Sequence, residues 1–101
     1  MQKNKEKEIL DFYGSCYEIF KHYGQETQLN KFAEECAELI RAILRKDKDN
    51  ILEEMADVNV LLTQFTMSSV ELCKKIDEIS FKKVERQMER IKNENQCQNI
   101  R

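Results

Sequence analysis

The 101-residue sequence has no proline, only two glycines (Gly14 and Gly24), a single histidine (His22) and no surplus of basic charge. Without proline or strand-type alternation, nothing interrupts helix formation, and the chain reads as nearly all helix. A net charge of −2 argues against a general nucleic-acid binder, which carries a basic surplus. One histidine and four scattered cysteines (Cys16, Cys36, Cys73, Cys97), with no CxxC, give no zinc-ligand spacing or disulfide framework; a reducing, cytoplasmic setting is the expectation. No apolar run approaches the ~18–20 residues of a membrane span, and the opening MQKNKEKEIL has no apolar signal core.

What is present is charge, 36% of the residues, laid over helical apolar periodicity. The length suits one domain, residues 1–101, with 1–4 and 93–101 expected to fray. A chain of this size buries only roughly 60–68% of its unfolded surface, so association between copies would help its core.

Four helices are expected, in an antiparallel bundle. The first spans about Lys5 to Tyr23, with Ile9, Phe12, Tyr13, Cys16, Phe20 and Tyr23 on one stripe and Gly24 just past its end. Gly14 interrupts that stripe and suggests a close packing contact. Thr27 is the expected N-cap of a second helix reaching Arg45. Asn50, with Glu53 three residues on, is the expected start of a third that continues to about Ser68. A break between Ser68 and Lys75 lets the fourth helix fold back.

The carboxylates give this pattern its interest. EExxE and EExxD fall on consecutive helices. At about 100° per residue, Glu35 and Glu38 border the apolar face of the second helix, made by Leu29, Phe32, Ala33, Cys36, Leu39, Ile40, Ile43 and Leu44. Glu54 falls inside the apolar stripe of the third helix, and Asp57 lies at its edge. Carboxylates held against a core repel one another and either take up protons or acquire a cationic partner. An all-oxygen cluster suits Mg²⁺ or Mn²⁺, which retain waters for a phosphate ligand. Glu34 and Glu53 point further toward solvent.

These residues resemble the signature of the MazG-like, all-α nucleoside triphosphate pyrophosphohydrolases. Glu35-Cys36-Ala37-Glu38 and Glu54-Met55-Ala56-Asp57, fifteen residues apart, match the family's ExxE and ExxD. YGQETQLNKFAEECAEL, EEMADVNVLLTQF and FKKVERQMER resemble its flanks, so the likeness covers about residues 20–92. It implies Mg²⁺-dependent cleavage of a nucleoside or deoxynucleoside triphosphate to the monophosphate and pyrophosphate. Carried over, Glu35, Glu38, Glu54 and Asp57 would be the metal ligands and catalytic carboxylates.

Basic groups should meet the phosphates. Lys83 and Arg86, with Arg90, share a face of the last helix, and Lys31 lies one turn before Glu35. Gln28 is a candidate for base or sugar contact. A second apolar line on the third helix (Leu52, Ala56, Val60, Thr63, Met67) suggests enclosure by another subunit, hence a homodimer or homotetramer. A reading of a different class is a non-catalytic helical oligomer that binds nucleotide or a protein partner on the same scaffold.

Overall fold

A computed structural model describes the backbone of residues 2–100 and the side chains of residues 4–97. Met1 and Arg101, at the ends expected to fray, lie outside the described residues. Four helices follow one another with no strand among the described residues: α1 Gln2–Tyr23, α2 Gln25–Arg45, α3 Lys48–Ser68 and α4 Val70–Ile100. The all-α expectation stands.

Single residues or pairs make the connections. Gly24 closes α1 through its N–H to the Phe20 carbonyl (2.8 Å), and its own carbonyl accepts the Gln28 N–H (3.1 Å) that opens α2. Its φ of +89° is open to glycine and costly for a side chain. The chain therefore re-enters helix at Gln25, and Thr27 lies inside α2 instead of capping it.

The second connection is Lys46–Asp47. Lys46 is left-handed (φ 59°, ψ 32°), and its N–H returns to the Ala42 and Ile43 carbonyls. Asp47 caps α3, its Oδ1 accepting the Asn50 backbone N–H at 3.3 Å. The cap thus stands three residues before Asn50, because an aspartate was available earlier in KDKDN. Glu53 is left exposed in mid-helix. The last break falls at Ser69, whose Oγ and carbonyl accept the N–H groups of Leu72 and Cys73.

α3 is the central element and packs against the other three helices, while among the described residues α4 touches only α3. The two apolar sides of α3 are therefore partly used within the chain itself. Phe20 of α1, Phe32 of α2 and Phe65 of α3 meet, with ring centroids 5.0 Å (Phe20–Phe65) and 5.8 Å (Phe32–Phe65) apart. Among the described residues, Cys16, Ala42 and Leu61 are the buried apolar ones.

Much apolar surface stays uncovered by this chain. On α2, Phe32, Cys36 and Leu39 turn inward, whereas Leu29, Ile40, Ile43 and Leu44 of the same expected stripe are exposed. On α4, Leu72, Cys73 and Ile76 are half-buried and every described residue beyond them is exposed. A Cβ added at Gly14 would have no neighbour within 4 Å. The close contact expected there is absent, because α1 turns Cys16 and Phe20 inward and leaves Gly14 on its open side.

Candidate metal and nucleotide site

The short α2–α3 turn makes a hairpin in which the acids meet across the seam. Glu38 stands eight residues before Lys46 and Glu54 seven after Asp47, so both lie at similar height above the turn. One carboxylate oxygen from each of Glu35, Glu38 and Glu54 falls within 4.8 Å of the others.

Burial is uneven among the three. Glu35 is 8% exposed, Glu54 half-buried, and Glu38 open to solvent. Lys31 Nζ lies 3.2 Å from Glu35 Oε1 and 3.9 Å from Glu34. The other Glu35 oxygen, Oε2, is buried without a hydrogen-bond partner among the described residues, as is Oε2 of Glu54. Burial pushes the Glu54 carboxyl above its ordinary range, and Glu38, Asp57 and Glu35 push the same way. Lys31 is held charged to higher pH by its bond to Glu35.

Orphaned buried carboxylate oxygens are costly, since each has lost its water and gained nothing. A hard divalent cation is the partner that satisfies several such oxygens at once, and this donor set fits one.

Asp57 does not join that three-carboxylate group. It is exposed and lines a cleft of about 190 Å³ with Gln28, Lys31, Glu35, Leu61 and Gln64. Gln28, expected as a nucleotide contact, is buried there and donates through Nε2 to Gln64 Oε1 at 2.8 Å. A wider recess of about 490 Å³ adjoins it, lined by Tyr23, Thr27, Gln28, Asn30, Lys31 and Glu34.

Gln64 went unanticipated. The signal was available: Asp57, Leu61 and Gln64 are spaced i, i+4, i+7, so a polar residue shares a face with an acid and a core leucine. Lys83 and Arg86 are exposed on α4 and line neither of these clefts. They lie on the α4 face away from Phe81, Val84, Met88 and Ile91, which share a stripe of 3–4–3 spacing.

The family model of the MazG nucleotide pyrophosphohydrolase domain matches residues 23–97. The chain belongs to the MazG nucleotide pyrophosphohydrolase family. Neither a curated protein nor a solved structure matches it. The matched span takes in α2, α3 and most of α4, and so contains every carboxylate just described. Divalent-metal dependence is general in the MazG family, and the carboxylate group supplies a place for it. No helix among the described residues is long and apolar enough to cross a membrane.

Proposed function

We propose that this MazG-family chain is a Mg²⁺-dependent pyrophosphohydrolase, with Mn²⁺ as an alternative ion. It converts nucleoside or deoxynucleoside triphosphates to monophosphate and pyrophosphate, in a cytoplasmic, nucleotide-pool-cleansing role. The observation that carries the reading is the pair of buried, unpartnered oxygens on Glu35 and Glu54 inside the three-carboxylate group.

Glu35, Glu38 and Glu54 would hold the cation, with Asp57 on the wall of the adjoining cleft as the fourth carboxylate of the set. A divalent ion held there would supply charge to neutralise phosphate oxygens and to acidify a water. The chain's own residues do the rest. Lys31 fixes Glu35 through one oxygen and leaves the other for the site. One carboxylate of the set takes a proton from the attacking water as the water oxygen bonds the α-phosphorus and the bond from that phosphorus to the α–β bridging oxygen breaks, releasing pyrophosphate. Gln28 meets the nucleoside, with Tyr23 on the rim of the adjoining recess as a stacking surface.

The active form is a homodimer or homotetramer. Twenty large hydrophobic side chains among the described residues are exposed, against three buried apolar ones, a ratio better suited to an assembly than to a stable monomer. Lys83 and Arg86 serve phosphate only where another copy's α4 lies over the hairpin.

The test is direct. Purified protein is incubated with each NTP and dNTP plus Mg²⁺, and the products are resolved. Pyrophosphate with the monophosphate is expected; orthophosphate with a diphosphate, or no product from any nucleotide, would reject the proposal.

A further inference from the structure

Glu38 and Glu54 also line a third cleft, of about 200 Å³, with Arg41, Ala42, Arg45 and Asn50. It lies nearer the α2–α3 turn than the cleft of Gln28 and Gln64. The three carboxylates therefore stand between two unlike recesses on one hairpin. One shares Glu35 and is lined by amides, Lys31 and apolar side chains; the other shares Glu38 and Glu54 and is walled by two guanidinium groups.

The arginines have little else to do. Arg41 Nη2 is 4.0 Å from Glu38 Oε1, the limit of an ion pair, and its side chain is 61% exposed, so that contact holds it weakly. Arg45 makes no ion pair among the described residues; its place in the last turn of α2 suits the helix dipole but does not require two acids opposite. Arg41 and Arg45 are one turn apart, a like-charged pair that an anion would relieve. The Asn50 side-chain amide bonds nothing among the described residues; only its backbone N–H is engaged, by Asp47.

We infer that Arg41, Arg45 and Asn50 form the seat of the β- and γ-phosphates and of the pyrophosphate product. The substrate then lies along the hairpin with its nucleoside toward Gln28 and Gln64. This rests on the pyrophosphohydrolase reading. A nucleoside triphosphate has the polarity of the two recesses, with its nucleoside at one end and its densest charge at the other. Planar guanidinium forks grip phosphate oxygens in pairs, so this end suits the arginines. The scissile bond between the α- and β-phosphates falls beside the carboxylates. The leaving group departs toward the two guanidinium groups.

Calorimetric titration of inorganic pyrophosphate and, separately, of dNMP into the Mg²⁺-loaded assembly tests the assignment. Arg41→Gln and Arg45→Gln should each weaken pyrophosphate binding about tenfold, with dNMP affinity unchanged. Arg41→Lys should recover part of the loss. In turnover, the double variant should show a raised KM for triphosphates and weaker inhibition by pyrophosphate. Unaltered pyrophosphate affinity in the double variant, or equal loss of dNMP binding, would overturn the inference. The binding arm is separable from catalysis. Arginine-dependent pyrophosphate binding by a protein that turns over no nucleotide would uphold this seat while rejecting the hydrolase reading. Helical circular dichroism of each variant checks that the exposed substitutions leave the fold intact.

Discussion

Gln28 on α2 and Gln64 on α3 are joined by a 2.8 Å side-chain hydrogen bond at a buried position in the cleft that Glu35 and Asp57 also line. The bond ties the two helices together beside the acids. Gln64→Leu leaves the Gln28 amide buried without that partner and should cost about 1–3 kcal/mol. The Gln28→Leu, Gln64→Leu double variant should cost less than the two single changes added. Urea denaturation in a double-mutant cycle measures the difference; strict additivity would mean that the two amides do not support each other.

Glu54→Gln removes one of the two orphaned oxygens and much of the repulsion around it. Pyrophosphate release should fall about a hundredfold or more, and the thermal stabilisation conferred by Mg²⁺ should vanish. The melting temperature of the metal-free protein should hold steady or rise. Full turnover in this variant would remove Glu54 from the site.

The raised Glu54 pKa has a signed consequence for the metal-free chain. Between the unfolded carboxylate pKa and the raised folded one, the native state binds more protons than the unfolded state, so stability falls as pH rises. The contribution is fully present below the unfolded pKa and gone once pH has passed the folded value. Denaturation followed from pH 4 to 7 in chelator should show this decline in the native chain and a flatter profile in Glu54→Gln. Identical slopes would contradict it.

The α2–α3 turn invites opposite changes at adjacent residues. Lys46 occupies the left-handed region, which costs a side chain roughly 1–2 kcal/mol. Lys46→Gly should recover about half of that after the added freedom of glycine in the unfolded chain. Asp47→Ala deletes the α3 cap and should destabilise by about 1 kcal/mol. Thermal melts of the two variants should move in opposite directions; movement the same way would refute the assignment of these roles.

For the assembly, Val84→Glu with Met88→Glu places charge on the exposed α4 stripe. Light scattering after size exclusion should give a mass of at least two chains for the native protein and a smaller one for the variant. A native mass of one chain, 12.1 kDa, would defeat the proposed oligomer.

Apolar periodicity made the four helices legible, and the wheel put Glu54 against the core, where its Oε2 is indeed buried. Helix starts were less legible. Thr27 and Asn50 are good caps by type, but the chain re-enters helix earlier: the positive φ of Gly24 sets the turn before Gln25, and Asp47 caps α3 ahead of Asn50. Gln64 escaped notice because a lone amide reads as surface until its partner, on another helix, is brought to it. Arg41 and Arg45 were hidden for a related reason: on α2 alone they read as ordinary solvated charge.

The two-residue link at Lys46–Asp47 also bears on how the site is born. Glu35, Glu38, Glu54 and their buried amide neighbours all lie between residues 28 and 64, so a hairpin of close-range contacts can gather them before α1 docks. An ion met at that moment would act as a template for the nascent hairpin, and millimolar Mg²⁺ should then quicken refolding as well as slow unfolding.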